Sequence, residues 1–168
     1  MSHKMPQTLT DPSRFDITCL EDEIRADQLT GELLKHFCSS LIEQNGEDPL
    51  TAGSLARGAD HFLREFIIGD RRENLLKLDP ERVRQFAGNW YIVKTLEPNM
   101  AELGDILEGV EAFYAWLAEH RLFDGKLAEE IAGHCGQLDF YRERIEQFWA
   151  IEGDGYLAWN QACPLPGQ

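Results

Sequence analysis

A chain of 168 residues, 43% of them hydrophobic, has enough apolar material for one core and too much for a disordered segment. Thirty acidic against sixteen basic residues leave a formal charge of -14, a field that repels phosphate backbones and anionic membrane surfaces and disfavours non-specific nucleic-acid binding. No apolar run reaches the roughly 18–20 residues that a membrane span needs. The four cysteines, Cys19, Cys38, Cys135 and Cys163, have no CxxC spacing and follow no secretory signal, so free thiols in a reducing, cytoplasmic compartment are expected.

Residues 1–14 are polar and hold Pro6 and Pro12, which predicts a lead-in outside the core. From about Thr30, Leu33, Leu34, Phe37, Cys38 and Leu41 recur at helical spacing until Asn45-Gly46 and Pro49, which predicts a helix over roughly 30–44; Leu20–Gln28 reads as an earlier turn of it or a separate short helix. Thr51 is the expected N-cap of a second helix, whose stripe is Leu55, Ala59, Phe62, Leu63 and Phe66 and whose end lies near Gly69-Asp70. Asp79-Pro80-Glu81 has the order of an N-cap, a first-position proline and a first-turn acid, with Val83, Phe86, Ala87 and Trp90 as the buried stripe.

After Glu97-Pro98-Asn99, the residues Leu103, Ile106, Leu107, Val110, Phe113, Tyr114 and Leu117 form the longest apolar stripe of the chain. Asp124 is placed to cap a final long helix, in which Leu127, Ile131, His134, Leu138, Tyr141, Ile145 and Trp149 share a face across Gly133 and Gly136. Past Gly153-Asp154-Gly155, a short arm with Tyr156 and Trp159 ends in proline-rich coil. No strand pattern with turn chemistry at both ends is sustained. The expectation is an all-α, single-domain bundle of about five or six helices over residues 15–152, with a C-terminal arm over 153–168.

The helix LARGADHFLREFI, the start LDPERVRQFAGNWYIVK and the long GVEAFYAWLAEHRLF give residues 51–131 an order of features that resembles the SAM-like core-binding domain of tyrosine recombinases and related stand-alone bacterial proteins. The resemblance implies a four-helix bundle that, in the recombinases, closes over one side of a DNA duplex. Only about 40 residues follow Phe123, too few for the recombinase catalytic domain with its arginines, histidine and nucleophilic tyrosine. The region also stays net acidic, where a DNA clamp concentrates Lys and Arg. The resemblance therefore carries a fold and the idea of a DNA-associated accessory module, and no strand-transfer activity.

Arg57, Arg64 and Arg71 repeat every seven residues opposite the Leu55/Phe62/Phe66 stripe, with Arg72 next to the last, and form the main basic concentration of the chain. Clustered guanidinium groups suit an anion or an acidic partner. The interleaved Asp60, Glu65, Asp70, Glu73 and Glu81 instead describe a solvated helix face of mixed sign. His36 with Cys38, and His134 with Cys135, have metal-ligand chemistry, but neighbours at i, i+1 and i, i+2 do not converge on a helix, so no metal or cofactor is expected.

Glu130 with His134, and His61 with Glu65, have the i, i+4 spacing of an ordinary helix pair. No GxSxG, P-loop or GxGxxG is present. Trp116 lies off its helix's main stripe, beside Gly109 and Ala112; either another helix covers it there, with the last helix or the C-terminal arm expected in that place, or it joins Tyr156 and Trp159 in an interaction patch. The functional expectation is a non-catalytic binding or protein-interaction module, with a protein or a second copy as partner. A DNA-associated accessory module is the alternative, and a metal-dependent enzyme rests only on dispersed His, Cys and carboxylate residues.

Overall fold

A computed structural model describes residues 4–166. Among the described residues the chain is helical, with no strand. Helix α1 (Gln7–Thr10) is short, and α2 (Leu20–Glu43) is one continuous rod. The expected helix from Thr30 therefore begins ten residues earlier, where Glu21, Asp22 and Glu23 put three acids in the first turn, next to the positive end of the helix dipole. Helix α3 (Pro49–Asp60) is capped by Asp48, whose carboxylate accepts from the N–H groups of Leu50 and Thr51. Asp48 takes the place expected for Thr51, and Pro49 fills the first helical position, where its missing N–H costs nothing.

The rod of α3 continues to Arg71 through a π-helical stretch, His61–Arg71, and ends on Arg72 in the left-handed region at φ 57°. Helix α4 (Glu81–Gln85) runs through a second π-helical stretch, Phe86–Trp90, into α5 (Tyr91–Lys94). Asp79 caps this start as expected: its carboxylate accepts from the Glu81 N–H at 3.0 Å and its carbonyl from that of Arg82. The two π-helical stretches meet in an aromatic layer, with Phe66 5.2 Å from Trp90 and 5.4 Å from Phe86, and Phe62 5.2 Å from Phe86. These wider turns thus coincide with the bulkiest contacts of the core.

Helix α6 (Met100–Glu119) carries the long stripe, and Leu103, Leu107, Val110, Phe113, Tyr114 and Leu117 are all buried. Its closest partner is α3. A Cβ on Gly109 would stand 2.3 Å from the Leu55 carbonyl oxygen, and one on Gly58 would stand 2.8 Å from the Asp105 carbonyl oxygen. Each helix thus presents a glycine to the other's backbone. Around this crossing α2 packs on α3 and α7 (Gly125–Cys135) packs on α6.

The expected final long helix is two helices. It stops at Cys135, and α8 (Leu138–Trp149) restarts after Gly136-Gln137. Within α8, Tyr141, Arg144 and Ile145 are buried, while Leu138 and Trp149, at its two ends, are 39% and 61% exposed. The segment 153–168, expected as an arm, contains α9 (Tyr156–Ala162), which packs on α8 and buries Trp159, Cys163 and Leu165. In the segment expected as a lead-in, Leu9 is fully buried and α1 contacts α2. The Asn74 amide donates to the Pro12 carbonyl at 2.8 Å and to Asp16 at 2.7 Å, tying this segment to the loop after Arg71.

The two glycines of α6 give opposed predictions. Alanine is favoured over glycine in a helix by about 1 kcal/mol. At Gly104, where a Cβ meets nothing within 4 Å, Gly104→Ala should raise thermal stability by up to about that amount. At Gly109 the added methyl collides with backbone that cannot rotate aside, an overpacking cost of about 1–3 kcal/mol or more, so Gly109→Ala should lower it. Urea titration of the two variants reads both signs.

Candidate functional site

The basic stripe of α3 is largely neutralised from within the protein. Arg64 forms a bidentate pair with Asp27 of α2, Nε and Nη2 each donating at 2.9 Å, and its Nη1 reaches Asp60 at 3.2 Å. Hydrogen bonds from this guanidinium hold the Asp27 carboxyl below the usual carboxylate range, and the same pairing raises the Arg64 pKa still further. Arg71, with a side chain only 9% exposed, donates to Asp70 at 2.9 Å and to the Pro166 carbonyl at 2.7 Å. Arg72 faces Glu23 at 3.3 Å.

Arg57 is the exception. It is exposed and has no hydrogen bond or ion pair among the described residues. With Arg64 and Lys35 of α2 it lines an open groove between α2 and α3. Sequence spacing connected Arg57 to Arg71 along one helix, whereas the fold joins it to Lys35, which the stripe did not include.

The two tryptophans offered for an interaction patch are interior residues, so a patch built on them is not formed. Trp116 is 5% exposed, its ring 5.5 Å from Phe37 and 6.0 Å from Phe113, so α2, rather than the last helix or the C-terminal arm, supplies the cover that its off-stripe position required. Trp159 is 6% exposed. Its indole Nε1 donates to the Arg144 carbonyl at 2.9 Å, and the Arg144 guanidinium returns a bond from Nη1 to the Trp159 carbonyl at 2.7 Å while stacking 3.9 Å from the ring centre. Arg144 Nε donates to the Gly88 carbonyl at 2.8 Å. The residue is 2% exposed, has no carboxylate partner among the described residues and leaves Nη2 without a hydrogen-bond partner; burial lowers its pKa.

This clamp fixes a row of rings. Trp149 lies 6.1 Å from Phe148, Phe148 lies 5.0 Å from Trp159, and Tyr156 lies 5.9 Å from Trp159. The inner members are shielded, and the outer ones reach solvent: Trp149 is 61% exposed, Tyr156 46% and the adjoining Leu157 63%. Of the three residues expected in the patch, only Tyr156 is presented, and the exposed indole belongs to Trp149. Around this corner Glu146, Glu152 and Asp154 are exposed. From residue 143 onward the only cation is Arg144, which is buried.

The histidines are dispersed. His61 is 3.4 Å from Glu65, matching the helix pair expected, and His134 is 3.5 Å from Glu81 of α4. His36 and His120 come to one pocket of about 300 Å³ with Ser39, Ser40 and Glu43; there His120 Nδ1 donates to the Trp116 carbonyl at 2.9 Å. Among the described residues no three His, Cys, Asp or Glu side chains converge as metal ligands. Burial pushes the Cys135 thiol up to about 12 and also raises Cys163. Neither thiol is therefore an activated nucleophile. No protein-family model matches the chain, and comparison with curated proteins and with solved structures finds no match.

Two outcomes follow from these contacts. Trp159→Ala should cost about 3–5 kcal/mol, because it empties a ring-sized site and leaves the buried Arg144 uncovered, whereas Trp159→Phe should cost only about 1–2 kcal/mol by keeping a ring and losing the Nε1 bond. Denaturant unfolding compares the two. The Asp27–Arg64 pair lowers the folded-state pKa of Asp27, so its stabilisation is present above the unfolded carboxylate value and is lost as pH falls through the folded one. Because both side chains are about 40% exposed, Asp27→Asn should cost no more than about 1 kcal/mol at pH 7, and the difference from wild type should close as pH falls below about 4.

Proposed function

We infer that this chain is a non-catalytic protein-interaction module, which docks a basic, apolar-faced segment of a protein partner on the α8–α9 corner. The carrying observation is the exposed trio Trp149, Tyr156 and Leu157 beside Glu146, Glu152 and Asp154, where the nearest cation in the sequence is locked inside. Large aromatic side chains that are already held in place lose little conformational entropy on binding, and they dominate interface energies. The ring row anchored by Arg144 gives the corner that rigidity. An acidic rim attracts a cationic partner and selects against anionic ones. A duplex-DNA accessory role has less support, because Arg64, Arg71 and Arg72 spend their charge on Asp27, Asp60, Asp70 and Glu23.

The test is isothermal titration with an amphipathic lysine/leucine helical peptide, alongside its glutamate/leucine counterpart. The cationic peptide should bind saturably at low salt and weaken as ionic strength rises. Trp149→Ala and Leu157→Asp should each lower its affinity by about tenfold or more, the loss expected of a central anchor. Equal affinity for both peptides, or wild-type affinity in both variants, would overturn the reading. Sedimentation showing a dimer that both substitutions dissolve would replace the foreign partner with a second copy.

A further inference from the structure

On the face where α2 lies against α3, a groove of about 290 Å³ has Gly31, Leu34, Cys38 and Ala56 as its floor. The floor is apolar apart from the thiol, and Leu34 is 7% exposed. Lys35, Arg57 and Arg64 stand around it with Asp60. The lone carboxylate of the rim is already engaged, since Asp60 and the neighbouring Asp27 both accept from Arg64. Lys35 and Arg57 are exposed and, among the described residues, neither has a hydrogen bond or an ion pair.

The arrangement runs against the charge of the whole molecule. In a chain of net charge -14, acids are abundant, yet these two cations flank an apolar floor whose own carboxylate, Asp60, is bonded to Arg64. Arg57 lies back along its own helix, with Nη1 3.8 Å from the Cβ position of Gly53, and is free to swing over the groove. The missing side chain at Gly31 keeps the floor open beside Arg64, whose Nη1 is 3.9 Å from the position a Cβ would take. An anion with an apolar body fits these features: its head meets unpaired donors, and its body covers surface that water wets poorly. The volume lies at the lower end of small-molecule sites, which limits the body to a short chain or a single ring.

We propose that the α2–α3 groove binds a small amphiphilic carboxylate, its head group between Lys35 and Arg57 and its hydrocarbon part over Leu34, Cys38 and Ala56. The site uses no residue of the α8–α9 corner and stands independently of the function inferred for that corner. The shared chemistry of the head group is a single anionic acceptor cluster, for which a phosphate monoester is the competitor.

Octanoate is the probe, followed by amide chemical-shift titration of the full chain at low salt, with octanol, octyl phosphate and inorganic phosphate as comparison arms. Octanoate should bind saturably, with the largest shifts at Lys35, Cys38, Ala56 and Arg57. Octanol should bind at least about tenfold more weakly for want of a charge, and inorganic phosphate should not saturate for want of an apolar body. The exposed double substitution Lys35→Gln/Arg57→Gln leaves the core untouched and should weaken octanoate at least about tenfold. Cys38→Trp, checked for retained helicity, should block the floor, and Arg142→Gln on α8 should change nothing. Octanol binding as tightly as octanoate, wild-type affinity in the double variant, or shifts centred away from α2 and α3 would overturn the proposal. Tighter binding of octyl phosphate would overturn the carboxylate assignment.

Discussion

Where α3 crosses α6 the two backbones touch, through Gly58 on one helix and Gly109 on the other. Nothing larger fits at either position without moving main chain, so the crossing sets the distance between the two central helices and with it the positions of their neighbours. Beside this crossing α7 packs on α6, and Phe37 of α2 seals the ring of Trp116. Further along the α3 rod, Phe62 and Phe66 meet Phe86 and Trp90. Hydrophobic burial is non-directional and would tolerate many arrangements of these stripes. The small residues at the crossing select one of them.

A second constraint is polar. Arg144 is buried with no opposite charge beside it among the described residues, and removing a guanidinium from water is costly. The structure offsets that cost with two carbonyl acceptors, from Gly88 and Trp159, and with the indole face of Trp159. Two of these contacts come from α9, so the helix is seated by directional bonds as well as by apolar area. The Asn89 side chain adds bonds to Asn160 and to the Cys163 carbonyl, both in the same segment. This directional seat fixes the backbone of α9, from which Tyr156 is presented.

Electrostatics at the surface follows from who reaches whom. The acidic excess does not spread evenly over the basic residues: Asp27, Asp60, Asp70 and Glu23 draw in Arg64, Arg71 and Arg72, and Glu73 takes Arg82 through two bonds of 2.8 Å. Lys35 and Arg57 on the α2–α3 groove are among the cations without an ion pair among the described residues, and Glu146, Glu152 and Asp154 are exposed at the α8–α9 corner.

Much of the helical content was legible in the sequence. The stripe Leu103 to Leu117, the start at Asp79-Pro80 and the lack of strand pattern all depend on local periodicity and local capping chemistry, which act within one helix and need no partner. Misplaced features trace to particular residues. Asp48 caps α3 in place of Thr51 because Pro49 already suits the first helical turn. Trp149 leaves the buried face because an i, i+4, i+8 series drifts within α8: at about 100° per residue Trp149, the last residue of the helix, stands about 80° from Tyr141. Spacing alone gathered Arg57, Arg64, Arg71 and Arg72 on one face, and Trp116 with Trp159 as aromatics of like position. Whether a guanidinium is spent on a carboxylate 37 residues away, as in Arg64 with Asp27, or an indole is covered by another helix, as in Trp116 under Phe37, depends on through-space contacts between segments. By itself the sequence determined an acidic, all-helical chain and the ends of several helices, because capping and periodicity are short-range; which side chains stay free to bind was decided only by the packing of helices against one another, because burial and ion pairing are set by neighbours distant along the chain.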